Sequence, residues 1–202
     1  TPTPSITAAP SSAAPTGSPT AAPTTSPSPT PVATPIPEPT NRLGFETTLL
    51  GRNHIRDVNT VIKYPFCPPT SGDHFNIQNR GPIRPAVYPA NEEQVPQGWL
   101  HNMEHGYVVA LYRCPSGVLG QGDCISQAEF DQMSAFWDQV PDSINPACPT
   151  KVVVARFDTM STKFALLAWG RALLTDNFDL DTALLFNQQW ADQVSLAERG
   201  NC

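Results

Sequence analysis

The sequence predicts an α+β fold: a single compact domain in which a mixed β-sheet is packed by two helices, preceded by an extended Thr/Pro-rich arm. Three observations carry this. Residues 1–40 contain no aromatic side chain and hold 12 of the 23 prolines, whereas every Trp, Tyr, Phe and Cys lies after them. Apolar runs of strand length occur at 107–112, 151–157 and 164–175. Between and after them, residues 126–140 and 179–194 carry apolar side chains at helical spacing.

The arm comes first. It is almost wholly Thr, Pro, Ser and Ala and carries no charge before Glu38. Such a segment cannot bury enough apolar surface to offset its ordering entropy, so residues 1–40 read as a polyproline-like stalk. Residues 41–202 are long enough for one domain with a sizeable core. Within it, residues 41–100 are rich in Pro, Gly and Asn, with small apolar groups at Val61-Ile62 and Ile83, and read as loops, turns and one or two edge strands.

The continuous run Tyr107 to Tyr112, between Gly106 and Pro115, has the composition of a buried strand. Ser126 with Glu129 three residues on forms a capping box, opening a helix with Phe130, Met133, Trp137 and Val140 on one face; Pro141 ends it. Lys151 to Phe157, with three consecutive valines, predicts a second core strand. Phe164 to Trp169 and Arg171 to Thr175 extend the sheet, with a bend or bulge at Gly170. Asp179 or Asp181 caps a last helix presenting Ala183, Phe186, Trp190 and Val194. A helix between the first two strands makes that pair parallel and its crossover right-handed.

Composition also bounds function. The net charge of -6 and pI near 5.0 provide no basic patch to release counterions, which argues against nucleic acid or an anionic membrane as partner. No run approaches the roughly 18 apolar residues of a membrane span. The chain carries no secretory signal and begins Thr-Pro-Thr, as a processed product would, so secretion is an inference.

Five cysteines without a C-x-x-C pair suit an oxidising compartment. Cys114 and Cys124 flank a Gly-rich loop and, at a strand end and a helix start, form the most plausible local bridge. Cys67, Cys148 and Cys202 leave one further pair and one thiol, with the pairing open. No N-x-S/T acceptor is present, so glycans on the Thr/Ser arm are expected to be O-linked.

The chemistry concentrates in two stretches. Pro68-Pro69-Thr70-Ser71-Gly72 is a stiff turn followed closely by His74, and His101-Asn102-Met103-Glu104-His105-Gly106 sets two histidines four apart. On a helical turn His101 and His105 share a face, so His74, His101 and His105 can converge as metal ligands. For any one of these histidines the competing reading is a surface or hydrogen-bonded core residue. His54 is the remaining histidine, and its place is open. The string H-x-x-E-H is also the inverted-zincin pattern, with Glu104 as candidate general base. That motif needs a sustained helix; Pro96, Gly98 and Gly106 crowd the segment, which favours a short, loop-held site with Glu104 orienting an imidazole.

These blocks, Pro68-Pro69-Thr70-Ser71-Gly72-x-His74, His101-x-x-Glu104-His105-Gly106-x-Val108-Val109 and Leu166-x-Ala168-Trp169-Gly170, resemble the bacterial domain-of-unknown-function 3105 family over about residues 60–195. The resemblance implies an exported or membrane-tethered domain with no established reaction. In that family's pattern Pro usually follows the turn glycine and the second block reads more like His-Ser-Leu-Glu-His-Gly-Gly, from which Asp73, Asn102, Met103 and Tyr107 depart.

Three imidazoles with a carboxylate suit zinc, and three nitrogens with a weak thioether suit copper. Met103 and Met160 are candidate axial groups, with core packing as the competing role for each, and they put copper slightly ahead of zinc. The expected protein is extracellular and structural, a disulfide-stabilised domain with a histidine metal site, self-associating or displayed through its arm. At ~3.1 Å per residue a polyproline-type arm of this length reaches on the order of 120 Å, enough to cross several subunits and build an open filament. The alternatives are a monomeric surface metal-binding module on an O-glycosylated stalk and, more remotely, a metal-dependent hydrolase.

Overall fold

The computed structural model describes residues 42–193 and Cys202. The arm, residues 1–40, and Val194, expected at the end of the last helical face, lie outside the described residues.

The centre is a five-stranded sheet. Its strands are β1 (Phe45–Glu46), β4 (Val108–Tyr112), β5 (Val152–Arg156), β6 (Phe164–Ala168) and β7 (Arg171–Thr175), in the order β1-β7-β6-β4-β5. Strands β4 and β5 are parallel, joined through helix α2 (Gln127–Gln139), and the remaining neighbours are antiparallel, so the sheet is mixed as expected. Ala168 pairs with Arg171, so the bend expected at Gly170 is a two-residue hairpin turn. Gly170 adopts φ 73°, a conformation that L side chains rarely take.

The valine-rich runs are continuous because both faces of the sheet are covered. Val108, Ala110 and Tyr112 of β4 and Val152 and Val154 of β5 face Met133 and Phe136 of α2 and Ala183, Phe186 and Trp190 of α3 (Leu180–Trp190). The alternate residues, Val109, Leu111, Val153, Ala155, Ala165 and Leu167, face Trp99, Leu100 and Met103. Both expected caps are formed: Ser126 and Glu129 close the capping box of α2, and Asp179 accepts from Thr182 N–H at the start of α3.

Trp99, Leu100 and Met103 belong to a third helix, α1 (Pro96–Glu104), in a stretch whose Pro and Gly predict a short, loop-held segment. Pro96 opens the helix instead of stopping it. In the first turn its missing N–H would have had no intrahelical acceptor, and its fixed φ already suits the helix. Gly98 is there because the chain is crowded: a Cβ would stand 2.7 Å from Arg80 O and 2.8 Å from Ile83 Cγ2. Asn102 completes the docking, accepting from Ile83 N–H at 3.0 Å and donating to Ile83 O at 2.8 Å.

Residues before α1 contribute more strand than expected, though in very short pieces. Besides the edge strand β1, β2 (His54–Ile55) and β3 (His74–Phe75) form a separate parallel pair in which His54 stands opposite His74. Cys114–Cys124 and Cys148–Cys202 lie at disulfide distance, with Cys67 the exposed remaining thiol. Among the described residues no helix is long and apolar enough to cross a membrane.

Candidate metal centre

Three buried side chains and one half-exposed one meet where the β2–β3 pair packs on α1. His74 has no exposed surface, His101 and Glu104 are 3% and 5% exposed, and His54 is the outer member. One ligand atom from each of His54, His74, His101 and Glu104 lies within 4.8 Å of the others. A tetrahedral ion with bonds of about 2.0–2.1 Å would hold its ligand atoms roughly 3.4 Å apart, so the widest pair must draw in by up to about 1.4 Å to close the sphere.

Each side chain is aimed by its backbone. Gly72 takes φ 130°, and its carbonyl accepts from His74 Nδ1 at 2.7 Å. A Cβ on Gly72 would meet the Tyr64 ring at 2.9 Å, and the Tyr64 hydroxyl donates to Asp73 O, so glycine suits this turn by φ and by space. His101 Nδ1 donates to Phe75 O at 2.6 Å, tying α1 to β3. Strand β2 is held against β3 by His74 N–H to Asn53 O and by Asp73 Oδ1, which accepts from both the backbone and the side-chain nitrogen of Asn53.

These bonds set the chemistry. Carbonyl oxygens only accept, so His74 and His101 carry their protons on Nδ1 and turn Nε2 inward. His74 Nε2 lies 3.1 Å from Glu104 Oε2, and His54 Nε2 lies 3.0 Å from the same oxygen. Two atoms that both offer lone pairs approach so closely only with a proton or a cation between them.

The electrostatics agree with ligand-ready side chains. Burial, reinforced by the neighbouring imidazoles and only partly countered by the Phe75 carbonyl, lowers the His101 pKa to about 4, which keeps its ring neutral at ordinary pH. Burial raises the Glu104 carboxyl, but hydrogen bonding and charge from His54 and His74 outweigh it and hold the group below its ordinary value, ionised.

The fourth member is one the sequence reading left open. His54 precedes the motifs that carry the resemblance; its only local signal is the pair of matching dipeptides, His54-Ile55 and His74-Phe75, each a histidine followed by an apolar residue. Expected ligands fall elsewhere. His105 caps the C-terminus of α1 and stacks on His101 with ring centroids 4.9 Å apart, outside the group of four. Met103 and Met160 are buried in the apolar cluster with Trp99, Val109 and Phe157. The inverted-zincin pairing of His101 with His105 is therefore replaced by a set drawn from α1, β2 and β3, and the expected loop-held site is half helical.

Matching against family models identifies "Protein of unknown function (DUF3105)" over residues 56–201. The chain belongs to the DUF3105 family. Three of the four clustered residues fall within the matched segment and His54 lies two positions before it. No curated protein and no solved structure matches the chain. The residues departing from the family pattern have visible work in this DUF3105 domain: Asp73 fastens β2, Asn102 clamps Ile83, Met103 fills the core, and Tyr107 receives the Lys151 ammonium over its ring at 5.6 Å.

Proposed function

We propose that this domain is an extracellular metal-binding module holding one divalent transition metal through His54, His74, His101 and Glu104. The observation that carries the reading is the convergence of the His74 and His54 Nε2 atoms on one carboxylate oxygen, with His74 oriented by a backbone carbonyl. Three neutral imidazoles and one carboxylate leave a divalent ion with a single net positive charge, a tolerable load for a site three-quarters buried. Zinc is the favoured occupant. Copper drew its advantage from a thioether, and with Met103 and Met160 in the apolar core the donors are nitrogen and oxygen.

Four protein donors close a tetrahedral sphere, which favours a structural, storage or delivery role over hydrolysis. A hydrolytic zinc keeps a position for water, and a general base stands clear of the ligands. Glu104 Oε2 instead stands 3.0 Å from His54 Nε2 and 3.1 Å from His74 Nε2, inside the ligand set. The two cysteine pairs fit an oxidising compartment, which supports placement outside the cell or on its surface. The Thr/Pro arm would display the domain, carry O-linked glycans and provide any self-association.

Metal analysis of protein loaded with zinc and desalted tests the reading. The wild type is expected to retain one ion per chain, His74→Ala and His101→Ala to lose it, and His105→Ala to keep it. Cobalt substitution should give the intense visible bands of a tetrahedral site. Absence of stoichiometric metal in the wild type, or equal loss in His105→Ala and His101→Ala, would overturn the assignment.

A further inference from the structure

The Nδ1 atoms of the three clustered imidazoles have different kinds of partner. Those of His74 and His101 donate to the carbonyls of Gly72 and Phe75, which fixes the tautomer of each ring. That of His54 faces Asn76 Nδ2 at 3.2 Å, and an amide nitrogen donates. His54 is thereby set in the opposite tautomer, with its proton on Nε2, given to Glu104 Oε2 at 3.0 Å. In that form its inward nitrogen has no lone pair for a metal.

We infer that Asn76 is a positioning residue that sets the tautomer of His54 and so governs entry of the metal, an inference that rests on the metal-binding reading above. An amide presents an oxygen as readily as a nitrogen after a half-turn of its terminal torsion. With Oδ1 toward His54, Asn76 accepts from Nδ1–H, the proton having moved from Nε2, and the Nε2 lone pair is free to ligate. One proton changes ring nitrogen and one amide turns. Asn76 is well placed to do this. Its backbone N–H donates to Ile55 O at 3.1 Å, fixing its main chain beside β2, while the residue is exposed.

The arrangement makes the outermost ligand conditional. The Nδ1 protons of His74 and His101 are held by carbonyls that cannot change role, whereas His54 has a metal-free state in which Asn76 donates and Glu104 accepts. The carboxylate, imidazole and metal arrangement common in metal sites uses a permanent acceptor at this position, and loss of such outer partners typically costs about 10–100-fold in affinity.

Zinc affinities of wild type, Asn76→Leu, Asn76→Asp and Gln78→Asp, measured by competition with a chromophoric chelator, test the inference. Asn76→Leu should bind about 10-fold or more weakly, and Asn76→Asp, a permanent acceptor, at least as tightly as wild type. Gln78→Asp adds the same charge at an exposed position two residues further on and should change little. The ring ¹⁵N resonances of His54 should report protonation at Nε2 without zinc and at Nδ1 with it. Wild-type affinity in Asn76→Leu, weakening in Asn76→Asp to the level of Asn76→Leu, tightening in Gln78→Asp to match Asn76→Asp, or an unchanged His54 tautomer would overturn the role of Asn76 while leaving the metal site standing. Failure of the wild type to bind zinc would remove both.

Discussion

Lys151 and Asp192 are the clearest case of single residues governing the frame of the site. Their side chains, 2% and 7% exposed, pair at 2.7 Å, and Lys151 Nζ also donates to His105 O at 2.8 Å, at the C-terminus of the helix that carries His101 and Glu104. A cation there meets the negative end of the helix dipole. Asp192 returns the contact through its own N–H to Gly106 O, with Ser143 and Ile144 donating to its other carboxylate oxygen. Removing one partner of a buried pair leaves the other charge uncompensated, so Lys151→Met should cost about 3–5 kcal/mol in urea unfolding. A loss below about 1 kcal/mol would mean that Asp192 finds water in the variant. None of this is legible in the sequence: Lys151 reads as the first residue of a strand, and nothing local marks Asp192 as its partner. Their meeting depends on where two distant segments dock.

Elements were more legible where their signals were local. The capping box of α2 needed only Ser126 and Glu129 at the right separation, and both reciprocal bonds are present. It makes a pH prediction. Burial raises the Glu129 carboxyl, but bonds from the Ser126 backbone and hydroxyl, with Lys163 nearby, outweigh it and lower its pKa in the folded state. The resulting stability is present above the unfolded carboxyl pKa and is lost as pH falls through the depressed folded value. Ser126→Ala should therefore destabilise by about 1 kcal/mol near neutral pH and by less in acid. Thermal unfolding across that range checks it; a deficit constant with pH would separate the cap from Glu129. Helix α1 was missed for the complementary reason. Its Pro and Gly are breakers by propensity, and what licenses them is the first-turn position of Pro96 and the approach of Arg80 and Ile83 to Gly98, neither of which is local.

At the scale of the molecule, the described body is a three-layer unit: α2 and α3 on one face of the sheet, α1 with its docked β2–β3 pair toward the other. The four residues of the candidate metal centre sit on α1 and that small pair. The core and the site both lie within residues 42–193, so deleting residues 1–40 should leave the unfolding transition and zinc stoichiometry unchanged. If the arm drives self-association, sedimentation should show assembly only in the full chain. Assembly that survives the deletion would reassign it to the body, and loss of bound zinc would tie the arm to the site.

By itself the sequence determined the elements whose signals are local: the valine-rich strands, the capped helices, the Cys114–Cys124 neighbourhood and the stretch in which chemistry concentrates. Caps, periodicity and β-branched runs act over a few residues, so they can be read without knowing the fold. Only the tertiary structure decided that His54 joins His74, His101 and Glu104 while His105, Met103 and Met160 stand apart. His54 meets Glu104 across a separation of 50 residues, through a two-residue strand pairing and the docking of a short helix. Contacts of that kind leave no period in the chain.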